Sequence, residues 1–131
     1  MEERLRTRVR ERAHNRCEYC QFPESYSEYS FHADHIRPRQ HGGQTNEFNL
    51  AWACSYCNNH KGPNVAGILE GEIVGLYNPR KENWESHFKW AGPVLTALSP
   101  TGTVTIDVLG INLPDAVASR QALLEEGVFH D

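Results

Sequence analysis

The stretch that decides the fold is residues 17–57, CEYCQFPESYSEYSFHADHIRPRQHGGQTNEFNLAWACSYC. It opens with Cys17 and Cys20 and closes with Cys54 and Cys57, so two C-x-x-C pairs enclose 33 residues. A single pair is also typical of a redox dithiol. Two pairs predict a structural zinc ion in a tetrahedral site, because each short turn presents two thiolates to the metal.

The interval between the pairs is longer than the roughly 15–20 residues of a simple zinc ribbon, so it should contain structure of its own. Residues 30–36 have the character of a strand and carry Asp34 and His35, and Pro38 with the Gly42-Gly43 pair marks a loop. Residues 49–53 are the candidate for the returning strand. A short helix is expected to start near Ser55 and to stop around residues 62–63.

The order of these motifs resembles the HNH endonuclease family, whose fold is a ββα-metal finger. The resemblance covers residues 14–64. It depends on an Asp-His pair followed by Ile-x-Pro, a Gly-Gly turn, an Asn-Leu pair at residues 49–50 and C-x-x-C-Asn-x-x-Lys-Gly at residues 54–62. The expected fold class is therefore α+β: a ββα-metal finger stapled by structural zinc, with an N-terminal helix and a C-terminal α+β extension.

The resemblance implies a role for each matching residue. His35 would be the general base that takes a proton from water. Asp34 and Asn58 would hold one Mg²⁺ or Mn²⁺ ion through oxygen atoms, and Asn49 would tie the loop so that His35 faces the water. The reaction implied is hydrolysis of a phosphodiester bond in DNA, with RNA as the other nucleic acid to consider, leaving 5′-phosphate and 3′-hydroxyl ends.

One position departs from the family's name, because Asn58 stands where the family often has His. His60 is a substitute ligand to weigh. On a helix, however, it would lie some 200° round from Asn58, so Asn58 is preferred. Four further side chains near the site are candidates for gripping neighbouring phosphates: Arg37, Arg39, His41 and Lys61.

Composition limits the classes of protein. The 131 residues are 39% hydrophobic and 23% charged, which excludes wholesale disorder. No apolar run approaches the about 18 residues of a membrane span, and the first residues lack the apolar run of a secretory signal, so a cytoplasmic location is expected. That location also disfavours disulfides. The sequence does not determine the oligomeric state.

Charge is unevenly distributed along the chain. The formal net charge is −4, yet six of the 13 Lys and Arg residues fall within the first sixteen positions. Apolar residues at spacings of four predict a helix over about residues 2–14. Its arginines either form a solvated face paired with Glu2, Glu3 and Glu11 or face phosphates.

Residues 65–131 contain no metal-ligand spacing and no nucleophile motif, so we expect one domain over residues 1–131 with a family-specific extension. Asn78-Pro79 predicts a helix start, and so does Ser99-Pro100. The apolar residues 104–108 fit a helix or a strand, and we favour the helix. A further helix is expected over residues 114–126. The aromatic residues Trp84, Phe88 and Trp90 are expected in the core, with stacking on bases as the alternative.

Two functions from different classes remain. The first is a zinc-stapled, metal-dependent endonuclease of the stand-alone bacterial or phage type. The second is a non-catalytic zinc module that binds DNA or a protein on the same scaffold. Such a module would have no need of Asp34, His35 and Asn58 together, and the sequence contains all three.

Overall fold

The centre of the fold is a hairpin followed by a short helix. In a computed structural model that describes residues 1–129, strand β1 (His32–His35) pairs antiparallel with β2 (Leu50–Ala53), and helix α2 (Ser55–Lys61) follows directly. Every residue of β2 is buried, which fits its uninterrupted apolar sequence. The predicted order of strand, loop, strand and helix is confirmed.

Helix α1 (Glu3–Arg12) packs on this finger through the fully buried Val9 and the partly buried Leu5. Four of its five arginines have partners on the finger, and not the glutamates Glu2, Glu3 and Glu11 that one alternative named. The contacts run from Arg6 to the Phe31 carbonyl, from Arg8 to the Glu47 carboxylate, from Arg10 to the Glu24 carboxylate and from Arg12 to the Glu47 and Leu50 carbonyls. These arginines hold the helix to the finger.

The remaining chain contains two hairpins and two helices. They are β3 (Ala66–Leu69) with β4 (Glu72–Gly75), β5 (Phe88–Ala91) with β6 (Val94–Ala97), α3 (Pro100–Val108) and α4 (Pro114–Glu125). Helix α3 lies against β3, β4 and β6. At Gly67 a Cβ atom would come within 2.8 Å of the Val104 Cβ, so the absence of a side chain there lets the helix and the strand approach closely.

The two later helix predictions are confirmed. The Ser99 hydroxyl accepts a hydrogen bond from the Gly102 N–H at 2.9 Å, and Pro100 occupies the first helical position. Residues 104–108, which fit either structure by pattern, are helical. No helix among residues 1–129 is both long and apolar enough to cross a membrane.

The helix predicted to start at Asn78 is wrong. Asn78 does form a cap, with its side chain accepting from the Arg80 N–H and its own N–H donating to the Glu82 carboxylate. The chain makes only one turn before a 3₁₀ turn at Trp84–Ser86. The Trp84 indole N–H donates to the Tyr19 carbonyl at 2.9 Å. This contact and the packing of Phe88 draw the segment towards the core.

The C-terminal half packs directly on the finger. Trp90 donates from its indole to the Gln21 side chain at 2.8 Å, and the Tyr56 hydroxyl donates to the Gly110 carbonyl at 2.7 Å. Buried side chains from both halves form one continuous core. The aromatic residues of the second half are packed against the finger, as predicted, with Phe88 1% exposed.

Candidate active site and four-cysteine metal site

The four cysteines converge at one buried point. Their sulfur atoms lie within 4.8 Å of one another, and the Cys20 and Cys54 sulfurs are 3.7 Å apart. Four thiolates at about 2.3 Å from a tetrahedral zinc ion would stand about 3.8 Å apart. All four are unbridged thiols. The cluster is therefore positioned to bind a metal ion, and the donor set suggests zinc.

Each C-x-x-C turn directs main-chain N–H groups at its own sulfur. The Cys20 N–H points at the Cys17 sulfur at 3.5 Å, and the Cys57 N–H points at the Cys54 sulfur at 3.3 Å. Burial raises the pKa of the Cys17 thiol, but hydrogen bonds from the three neighbouring thiols outweigh it and lower this pKa well below its ordinary value. These contacts thus favour a thiolate at Cys17, the form that binds metal, and they raise the pKa of the Cys54 and Cys57 thiols.

A second site lies in a cleft of about 400 Å³ between β1 and α2, and Asp34, His35 and Asn58 all line it. Side chains alternate along a strand, so Asp34 and His35 leave β1 on opposite faces. Asp34 is buried, whereas His35 and Asn58 are half-buried. The three residues that the sequence singled out for catalysis therefore all border this one cleft.

The Asp34 carboxylate is held by two buried partners. Its Oδ2 accepts a hydrogen bond from the Tyr19 hydroxyl at 3.1 Å and lies 3.1 Å from the Lys61 ammonium nitrogen. Burial raises the pKa of Asp34, and the opposing effects of Lys61 and Tyr19 limit that rise. Asp34 is thus part of the interior as well as of the cleft wall.

The surroundings of His35 favour the form that accepts a proton. Burial lowers its pKa; the Asp34 charge opposes this shift, and Arg39 and Lys61 add to it. The shift favours the neutral imidazole, the form that accepts a proton. Its Nε2 atom lies 2.8 Å from the Thr45 hydroxyl oxygen. Sequence reasoning missed Thr45, because it stands in a loop with no motif of its own.

Asn49 closes the loop that separates the two strands of the finger. Its side chain accepts from the Arg37 N–H at 2.9 Å and donates to the carbonyls of Arg37 at 3.0 Å and Gln44 at 2.8 Å. The oxygen of this amide and its NH₂ group are therefore both bonded to the loop backbone. This arrangement holds the loop at the end of β1, next to His35.

Gly43 makes this closure sterically possible. A Cβ atom at this position would stand 1.7 Å from the Arg37 carbonyl oxygen and 2.9 Å from the Asn49 Nδ2 atom. Since the first contact is with main chain, a side chain here would force the loop apart.

We expect Gly43→Ala to lower the free energy of unfolding by about 1–3 kcal/mol, the usual cost of an inserted methyl group with no space. Urea unfolding measures this effect. Gly75→Ala is the matched control, because a Cβ atom there meets nothing within 4 Å. Equal losses in the two variants would contradict the proposed clash.

The structure separates Asn58 from His60. His60 is exposed, its Nδ1 atom lies 2.9 Å from the Tyr56 carbonyl, and its ring stacks on Tyr56 at 4.2 Å between centroids. Asn58 lines the cleft, whereas His60 is not among its lining residues. Asn58, unlike His60, therefore borders the same cleft as Asp34 and His35.

The four side chains predicted to bind phosphates do not lie on one surface. Arg37, Arg39 and His41 are exposed on the loop after β1. Lys61 is instead 2% exposed, and its ammonium group is directed inward at Asp34 and at the carbonyls of His35 and Ile36. In this position Lys61 cannot meet a phosphate on the surface.

Comparison with known families agrees with this description. Residues 17–64 match the family model of the HNH endonuclease, so the predicted resemblance is confirmed over the finger. The matched segment contains all four cysteines as well as Asp34, His35 and Asn58 of the cleft. No curated protein matches the chain, and no solved structure does either.

Proposed function

We propose that this protein is a metal-dependent endonuclease that hydrolyses phosphodiester bonds in DNA. The observation that carries the proposal is that Asp34, His35 and Asn58 line one open cleft inside a segment matching the HNH endonuclease model. In this proposal His35 is the general base. Asp34 and Asn58 hold one Mg²⁺ or Mn²⁺ ion, and the four cysteines hold a structural zinc ion.

The donor set of the cleft suits a hard divalent cation. Asp34 offers a carboxylate oxygen and Asn58 an amide oxygen, and two such ligands leave most of an octahedral shell to water and phosphate. When bound, the ion would polarise the phosphate and stabilise the leaving 3′-oxygen. The sulfur atoms of the cysteine cluster suit zinc instead, so the two sites select different metals.

His35 would carry the proton transfer. If its Nε2–H donates to the Thr45 hydroxyl, the lone pair remains on Nδ1, which can accept a proton from water. The water oxygen then bonds to phosphorus, the bond from phosphorus to the 3′-oxygen breaks, and solvent supplies the proton for that oxygen. Arg37, Arg39 and His41 would hold flanking phosphates.

A non-catalytic zinc module is the second candidate, and one specific observation favours it. The Asp34 carboxylate is already paired with Lys61 inside the fold, as a purely structural aspartate would be. The same scaffold could bind DNA or a protein without cleaving it.

The deciding experiment incubates the purified protein with supercoiled plasmid and, separately, with single-stranded RNA, in Mg²⁺, in Mn²⁺ and without added divalent metal. We expect conversion of plasmid to nicked or linear form only with added metal. Cleavage of RNA alone would transfer the proposal to RNA. Binding with no cleavage of either substrate would favour the second candidate.

We expect Thr45→Val to lower kcat by about 10- to 100-fold, because one hydrogen bond to a group that becomes charged is worth about 1.5–3 kcal/mol. Thr45→Ser keeps the hydroxyl and is the matched control, so it should retain most of the rate. Steady-state nicking kinetics measure both. Equal rates for the valine and serine variants would exclude this role for Thr45.

A further inference from the structure

The Asp34 carboxylate has two different oxygens. Oδ2 receives the Tyr19 hydroxyl at 3.1 Å and the Lys61 ammonium at 3.1 Å, whereas Oδ1 has only a 3.5 Å contact with the same ammonium. Tyr19 and Lys61 are 1% and 2% exposed, so both donors act from inside the protein. Oδ2 is therefore committed to the interior, and Oδ1 is the oxygen left for a ligand in the cleft.

Lys61 also fixes the main chain around the site. Its ammonium nitrogen lies 3.1 Å from the His35 carbonyl oxygen and 3.5 Å from that of Ile36. Helix α2 carries both Lys61 and Asn58, and strand β1 carries Asp34 and His35. The Lys61 side chain therefore links the helix to the strand. Lys61 is thus placed to set the geometry of the cleft without entering it.

The ion pair also sets the charge of the site. Asp34 contributes one negative charge, Lys61 contributes one positive charge at 3.1 Å, and Asn58 is neutral. Affinity of an oxygen site for a hard cation depends on the charge of its ligands. A divalent cation entering the cleft therefore meets no net negative charge from this trio.

We propose that Lys61 is a positioning residue that neutralises Asp34 from inside the fold, so that a divalent cation binds tightly in the cleft only together with a phosphodiester. The phosphodiester supplies the negative charge that Asp34, Lys61 and Asn58 together do not provide. This inference rests on the proposed function, since it takes Asp34 and Asn58 as the ligands. Coupling of this kind is reciprocal, so the cation must raise nucleic-acid affinity by the same factor.

The test measures Mn²⁺ binding by electron paramagnetic resonance of the free ion, using the full zinc-loaded chain with His35→Ala to prevent cleavage. Mn²⁺ is titrated with and without a short DNA duplex. We expect the duplex to tighten Mn²⁺ binding by about tenfold, within the usual range for coupled sites. Fluorescence anisotropy of labelled duplex should show the same factor when Mn²⁺ is added.

The outcomes separate this inference from the proposed function. Tight Mn²⁺ binding that the duplex does not change would overturn the inference alone, because the ligands would still be present. Absence of Mn²⁺ binding in both conditions would overturn the proposed metal site and the inference with it.

Variants assign the coupling to the charge of Lys61. In Lys61→Met we expect free protein to bind Mn²⁺ more tightly and the effect of the duplex to shrink, while Lys61→Arg keeps the coupling. Tyr19→Phe removes a hydrogen bond to the same oxygen without changing charge, so the coupling should persist. If Lys61→Met does not fold, the Tyr19→Phe variant decides. Loss of coupling in Tyr19→Phe would show that the orientation of the Asp34 carboxylate, and not the charge of Lys61, causes the coupling, and it would overturn the proposal.

Discussion

Cys17→Ser is expected to unfold the protein at temperatures where the parent is stable. The free energy of binding structural zinc is also folding free energy, about 10–16 kcal/mol for small zinc sites. Total stability of a domain is only about 5–15 kcal/mol. The sulfur cluster lies within the core that joins the two halves, so loss of one ligand weakens both.

Thermal melting and elemental analysis check this expectation together. The parent should contain about one tightly held zinc ion per chain, and its melting temperature should fall when a chelator removes that ion. Cys17→Ser should respond much less to the chelator. At temperatures where Cys17→Ser remains folded, its cleavage rate should stay close to that of the parent, although its melting temperature is lower. Recovery of the four cysteines as disulfides, or a variant that melts like the parent, would contradict the zinc site.

His35→Ala is expected to lower the cleavage rate by about 10²- to 10⁴-fold, the usual contribution of a general base. Burial lowers the pKa of the half-buried imidazole, and its Nε2 atom lies 2.8 Å from the Thr45 hydroxyl oxygen. Alanine removes the proposed proton acceptor and leaves Asp34 and Asn58 in place. Single-turnover nicking of plasmid in Mn²⁺ measures the chemical step directly.

His60→Ala is the matched control, because His60 is an exposed histidine on the neighbouring helix that does not line the cleft. It should nick plasmid at close to the parental rate. Both variants should keep the parental zinc content and melting temperature. A His35→Ala protein that cleaves at full rate would remove His35 from the mechanism, whatever the fate of the two metal sites.

The hairpins of the second half show where sequence reasoning loses its signal. At the β3–β4 turn, Glu70 and Gly71 both have positive φ, as a two-residue hairpin turn requires, but Glu-Gly is a weaker signal than Asn-Gly or Asp-Gly. Ile68 and Ile73 are 65% and 78% exposed, so hydrophobicity does not mark the inner face either. Gly92 and Pro93 form the turn between β5 and β6. In the sequence, only two residues between two short apolar runs indicate this hairpin.

The sequence by itself determined the finger and identified the four cysteines that converge in it. The two C-x-x-C pairs, the Asp34-His35 pair and the Ser99-Pro100 cap act over a few residues, where spacing along the chain fixes geometry. Such local patterns predicted β1, β2, α2, α3 and α4 close to their observed bounds.

Only the tertiary structure decided which distant group each charged side chain would meet. Lys61 is a residue type that commonly contacts phosphates at a protein surface. Packing of α2 on β1 nevertheless buries it against Asp34, 27 residues away in sequence. Four of the five α1 arginines likewise have partners on the finger: Arg6, Arg8, Arg10 and Arg12. A buried charge must be paired, but the partner is set by how the elements pack, and no spacing in the sequence encodes that choice.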